Sequence, residues 1–278
     1  MAAKLSAFAD EIGADPHLQV KTLQAVGIRY VELRGAWGVN VLKLSDSQVA
    51  ELQQLFGDNG IAVSCIASPI GKVRLDEDWT GHFDEFKHAV DLAERLGAGY
   101  VRIFSYYAPQ GGRIEDHPDE VIRRLRQQAQ YVADRPVTLA LENETDIYGD
   151  TPERCGRLMG ALAGMKVTMA FDPANFVHID QVPVYERCWL PLRKYVGYFH
   201  MKDHARQPAK ISVLVGQGEG DCDKILRDVA DNRYNGLLAV EPHLAQAGKF
   251  SGFSGPDLFT VAVRALRELC EKAGLAVE

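Results

Sequence analysis

No apolar run in this sequence reaches the roughly 18–20 residues that cross a bilayer, so no membrane span is expected. The opening Met1-Ala2-Ala3-Lys4-Leu5 lacks the basic-then-apolar order of a signal peptide. Cysteine is sparse. The five residues, Cys65, Cys155, Cys188, Cys222 and Cys270, are scattered without CxxC spacing, which argues against a disulfide frame or a thiolate zinc site and reads as buried free thiols in a reducing cytoplasm. No block of lysine and arginine stands out against a formal net charge of −7, which argues against a dedicated nucleic-acid binder. No proline-, glycine- or serine-rich linker interrupts the chain, so residues 1–278 are expected to form one domain.

What is present is a rhythm. β-rich segments at Leu5–Ala9, Arg29–Leu33, Ala62–Ala67, Tyr100–Phe104, Val137–Leu141, Val167–Phe171, Val196–Met201 and Leu237–Val240 alternate with amphipathic stretches. The helices are expected at Pro16–Val26, Asp46–Phe56, Phe83–Leu96, Pro118–Ala133, Pro152–Leu162, Asp223–Asp231 and Pro256–Glu271. The first begins with Asp15 before Pro16, a capping residue followed by proline at the first helical position, and ends at Gly27. Repeated strand–helix alternation in a chain of this length predicts an α/β fold, a (β/α)8 TIM barrel, with an open doubly wound sheet as the alternative.

In such a barrel the carboxyl ends of the strands carry the chemistry. Period-two alternation turns Leu139 and Leu141, Met169 and Phe171, and Leu238 and Val240 toward the helices. The opposite face then carries Ala140 with Glu142, Ala170 with Asp172, Tyr198 with His200, and Ala239 with Glu241. Four successive strands thus aim Glu, Asp, His and Glu at one place. Such groups repel one another unless a cation sits among them. This oxygen-rich set suits one divalent ion, Mn²⁺ first, with Mg²⁺, Co²⁺ or Zn²⁺ as alternatives.

Glu142 in LENE, Asp172 in FDPANF, His200 in HMKD and Glu241 in VEPH resemble the metal signature of the xylose-isomerase-like sugar isomerase/epimerase superfamily. The resemblance extends over nearly the whole chain, including the opening FADEI, the VEL at Val31–Leu33 and the Gly-Gln-Gly-Glu-Gly segment at Gly216–Gly220. It is close to both ketose 3-epimerases and inosose dehydratases. In the epimerases the two metal-binding glutamates double as acid and base, which implies those catalytic roles for Glu142 and Glu241. The resemblance also implies substrate contacts at Arg206, six residues after the metal histidine, and at Asn175, where the epimerases carry a histidine. An amide at that place can hydrogen-bond a hydroxyl but cannot be protonated.

The expected activity is therefore isomerisation or epimerisation of a ketose or keto-sugar through a metal-stabilised enediolate, with dehydration of a keto-cyclitol or keto-sugar as the alternative. A nuclease is disfavoured. The related nucleases add metal-binding histidines where this chain reads Ser68-Pro69, Ser105-Tyr106-Tyr107 and Asn175. Trp37 is a candidate wall of the sugar pocket, and Lys202 is expected either to reach a substrate oxygen or to pair with Asp203. Arg102 reads as a buried ion-pair partner, and His204 and His243 as loop residues. The Gly216–Gly220 segment lacks the Lys-Ser/Thr of a phosphate loop and is expected to be a flexible active-site loop. The substrate is expected to be a small unphosphorylated carbohydrate. Ser251-Gly252-Phe253-Ser254-Gly255 is the one segment that would reverse that reading. Neither a nucleic acid nor a membrane is an expected partner, and a homo-oligomer is left open.

Overall fold

A computed structural model describes residues 2–245 and 254–278. The Ser251-Gly252-Phe253 part of the glycine-rich segment lies outside the described residues. Eight strands, all paired in parallel, close a barrel in chain order: β1 (Lys4–Phe8), β2 (Tyr30–Leu33), β3 (Ala62–Ile66), β4 (Tyr100–Ile103), β5 (Thr138–Glu142), β6 (Val167–Phe171), β7 (Val196–Met201) and β8 (Leu237–Val240), with β8 returning to β1.

The helices between them are α1 (Pro16–Ala25), α2 (Asp46–Asp58), α3 (Trp79–Leu96), α4 (Pro118–Tyr131), α5 (Pro152–Ala161), α6 (Pro173–His178), α7 (Cys222–Asp231) and α8 (Gly255–Ala273). Asp15 caps α1 by accepting from His17 N, and Ser45 and Gln48 form a reciprocal capping box on α2. α8 buries Phe259, Ala262, Val263, Leu266 and Cys270, the spacing of a single helical face. α3 starts one turn before the expected Phe83, because Asp78 accepts from the backbone of Thr80 and Gly81 and fixes the start there. The short α6 and a helical stretch over Tyr185–Tyr195 were not legible from periodicity, since each is too brief or too irregular to show a repeat.

The alternation is observed. Phe8, Cys65, Ala67, Ala140, Ala170, Tyr198 and Ala239 pack together inside the barrel. Leu139, Leu141, Met169, Phe171, Leu238 and Val240 join the other cluster, which the helices share. The alanines form a thin layer that leaves room above them for Glu142, Asp172, His200 and Glu241. All five cysteines are buried and free. Among the described residues no helix is long and apolar enough to cross a membrane.

Candidate metal centre

Glu142 ends β5, Asp172 follows β6, His200 lies near the end of β7, and Glu241 follows β8. Each offers one ligand atom, and these atoms all lie within 4.8 Å of one another. All four side chains are buried. Local structure fixes them. Asn143 clips the ends of β5 and β6 together, donating from Nδ2 to Asp172 O at 2.8 Å and accepting from Asp172 N at 2.9 Å. Asp172 uses Oδ1 to cap α6 through Asn175 N, which leaves Oδ2 toward the pocket. Asn175 Nδ2 donates to Asn143 O at 2.9 Å and reaches Glu142 Oε1 at 3.3 Å.

Three cations stand around the carboxylates. Arg34 donates to Asp10 Oδ2 and Glu241 Oε1, each at 2.6 Å, and to Glu11 Oε1 at 3.2 Å. Arg102 Nη1 lies 3.3 Å from Glu142 Oε2, while its other nitrogens donate to the carbonyls of Ala67 and Ser68. Lys202 Nζ lies 2.8 Å from Asp172 Oδ2 and 3.7 Å from Glu241 Oε2. His200 Nδ1 faces Glu142 Oε1 at 3.0 Å and Glu241 Oε2 at 4.0 Å.

These charges set the protonation states. Burial raises the Glu142 carboxyl, but His200 and Arg102 outweigh it and hold the group at about 2. Glu241 is held well below the carboxylate range against burial by Lys202, His243, Arg34 and His200. Burial lifts Asp172 to about 6 despite Lys202 beside it. Burial disfavours the His200 imidazolium, yet Glu142 and Glu32 lift it well above its ordinary value.

The residues fit a metal ion. Glu142 Oε2, Asp172 Oδ2, His200 Nδ1 and Glu241 Oε2 are all buried, and none has a well-angled hydrogen bond. Buried polar atoms without a well-angled partner are uncommon, and here one belongs to each of four converging side chains, with Arg102, Lys202 and one another as ionic neighbours. Glu11, Glu241 and His243 also bring ligand atoms within 4.8 Å of one another. There the Arg34 guanidinium already binds two of the three, so its positive charge disfavours a cation.

A model of the xylose isomerase-like TIM barrel matches residues 20–269. The chain belongs to that family. No curated protein sequence matches it. Among solved structures it is similar to a zinc-bound IOLI protein, at 17% identity and TM-score 0.77, covering 98% of this chain and 99% of that one. It is similar to a D-allulose 3-epimerase from Methylomonas sp., at 13% identity and TM-score 0.75, with 96% and 98% covered. A probable 3-DHS dehydratase, AsbF of Bacillus anthracis, matches at 15% identity and TM-score 0.72 over 96% and 99%.

Within this family barrel the remaining candidates separate. Asn175 and Lys202 stand at the four-residue cluster. Lys202 does not pair with Asp203, whose carboxylate instead accepts from the backbone N–H groups of His204, Gly216, Gly218 and Gly220. The Gly216–Gly220 segment, expected as an active-site loop, thus gathers three of its backbone donors on the Asp203 carboxylate. A Cβ at Gly218 would come within 2.5 Å of His204 O, so the close approach requires glycine. Arg206 donates to Glu219 and Asp180 beside the Asp203–Ala205 hairpin strand. Trp37 takes a left-handed turn conformation and packs, half-buried, against the hydrophobic core.

Arg102 is the buried ion-pair partner expected, with Glu142 as its partner. His243 is more than a loop residue, lying 3.0 Å from Glu11 Oε1 and 3.5 Å from Glu241 Oε1. His204 belongs to the hairpin, its ring edge-on to His178 at 4.0 Å. Sequence reasoning missed Asp10, Glu11, Glu32 and Arg34. Glu32 carried a signal, a lone acid among the apolar residues of Tyr-Val-Glu-Leu.

Proposed function

We propose that the protein is a divalent-metal-dependent sugar isomerase or epimerase. It acts on an unphosphorylated ketose or related keto-sugar by proton transfer at the carbon beside the carbonyl. The observation that carries this reading is the convergence of Glu142, Asp172, His200 and Glu241, each offering one buried ligand atom within 4.8 Å of the others, at the carboxyl end of the barrel. A bound ion would supply positive charge against the negative charge that builds on substrate oxygens as the proton leaves. Glu142 and Glu241 remain ionised at neutral pH and come from strands separated by two others, so each is suited to take or return the proton. Asn175 steadies Glu142 through its amide, and Lys202 offers a donor to a substrate oxygen.

Charge supports a neutral substrate. Six buried carboxylates (Asp10, Glu11, Glu32, Glu142, Asp172 and Glu241) surround the site. The cations among them are Arg34, Arg102 and Lys202. A divalent ion brings this set close to neutrality and leaves no surplus positive charge for a phosphate. Dehydration is the second reading, favoured by the buried Lys202 ammonium 2.8 Å from Asp172, a fixed positive charge that could stabilise a departing hydroxyl.

Incubating metal-loaded protein with ketoses, keto-cyclitols and their phosphate esters in D₂O tests both readings. Deuterium at the carbon beside the carbonyl is the expected result, with the free sugar preferred over its ester. Loss of water instead selects the dehydratase, and no exchange with any member of the panel overturns the proposal.

Metal uptake is expected to rise with pH. His200 must give up the proton on Nδ1 to bind an ion, and its pKa is raised, so uptake releases that proton at neutral pH. Affinity should climb about tenfold per pH unit while that single proton is displaced. Below about pH 6 Asp172 is also protonated, and the climb should steepen. Calorimetric titrations in buffers of different ionisation enthalpy count the protons released.

A further inference from the structure

We infer that Glu32 is a positioning residue that aims His200 at the metal ion, an inference that rests on the metal-dependent reading above. A histidine ligand needs one nitrogen free to bind and the other committed as a donor. His200 Nε2 lies 3.2 Å from Glu32 Oε1, and both side chains are fully buried. With the proton committed to that contact, the Nδ1 lone pair is left facing Glu142 and Glu241. The imidazole has little freedom to turn. Phe8 meets it edge-on at 5.1 Å with the planes at 83°, and Tyr198 does so at 5.7 Å and 83°.

The fold makes a special arrangement to bring Glu32 there. The β2–β3 register pairs Val31 with Val63 but Glu32 with Cys65, so Ser64 is the extra residue of a bulge. Bulges re-aim side chains, and this one places Ser64 in contact with interior groups. Ser64 Oγ lies 2.7 Å from Ser6 Oγ and 3.2 Å from the Tyr198 hydroxyl. A polar column therefore runs up the barrel axis from Ser6 through Ser64 and Tyr198 to the Glu32–His200 pair.

A buried carboxylate in a short apolar strand is costly unless its charge is used. Arg102 offsets part of it, being stabilised by Glu32 as well as by Glu142. A neutral acceptor would fill the same hydrogen bond at lower cost. The negative charge adds electron density to the imidazole, the general effect of a carboxylate behind a metal-binding histidine.

The test is Mn²⁺ affinity, by calorimetry on the full-length chain, of Glu32→Gln, His200→Asn and the double variant. Glu32→Gln keeps an acceptor oxygen and removes the charge, and it should weaken Mn²⁺ binding about 10–100-fold. In the His200→Asn background the same substitution should change affinity by less than about threefold, because its route to the ion is gone. A merely structural Glu32 would lower the melting temperature of the metal-free protein and leave that non-additivity absent. Tyr198→Phe, which cuts the column below Glu32, should bind Mn²⁺ within about threefold of wild type. Should Glu32→Gln not fold, Glu32→Asp, which keeps the charge but draws it back from Nε2, serves in its place. Wild-type affinity in folded Glu32→Gln overturns the role of Glu32 alone. A wild-type chain that binds no divalent ion overturns the proposed function with it.

Discussion

Loaded with a divalent ion, Glu142→Gln and Glu241→Gln are each expected to lose about 10²–10⁴-fold in turnover, the usual worth of a positioned general acid or base. Glutamine keeps the shape and one oxygen, so the contacts that hold the side chain survive in part. Glu241 Oε1 would still accept from Arg34, and Oε1 of residue 142 would still meet the Asn175 amide. What disappears is the basic carboxylate that Arg102 and His200 hold ionised on one side, and Lys202, His243 and Arg34 on the other. The losses should fall far short of additive in the double variant, because one broken proton path already stops the cycle. Metal content measured on each variant separates lost proton transfer from lost ion. Near-normal turnover in metal-loaded Glu241→Gln would rule out two-base epimerisation and favour a one-base isomerase or a dehydratase.

The four converging side chains were legible because each sits at a fixed parity above an alanine or tyrosine on a strand whose alternate residues are large and apolar. Strand periodicity is a local property, and a single sequence displays it. The cationic half of the site was hidden for the opposite reason. Arg34 and Glu241 are 207 residues apart, and only barrel closure between β1 and β8 brings them together. Lys202 illustrates the same limit. Its neighbour Asp203 was an equally good partner on sequence grounds, but inward parity sends Lys202 to Asp172 while Asp203 turns away to gather the glycine-rich segment. Arg206 pairs with Glu219 and Asp180, and no spacing rule reveals such partners.

The largest stability effect is expected at Arg34. Its guanidinium is bonded to Asp10, Glu11 and Glu241, whose side chains are almost wholly buried, so Arg34→Met would leave three carboxylates without their shared cation. Removing one partner of a buried charge cluster typically costs about 3–5 kcal/mol, because the remaining charges stay desolvated. Lys72→Met provides the control. Lys72 is about one-third exposed, pairs with Glu144 and lies over the Phe104 ring, and its loss should cost clearly less than that of Arg34 because it meets one carboxylate rather than three. The deficit in Arg34→Met should also depend on pH in a definite sense. Burial already raises the Asp10 carboxyl even with Arg34 pulling it down, and removing that pull raises it further. A carboxyl whose folded pKa is raised contributes stability below its unfolded pKa and loses it as pH climbs through the folded one. The gap between wild type and variant should therefore be smaller near about pH 5 than near about pH 8. Adding Mn²⁺ should narrow it again at neutral pH, since an ion at Glu241 restores positive charge beside the orphaned carboxylates. Urea melts at the two pH values, with and without the ion, measure all of this. A variant within about 1 kcal/mol of wild type near pH 8 would mean that Arg34 is not the charge that holds this side of the site together.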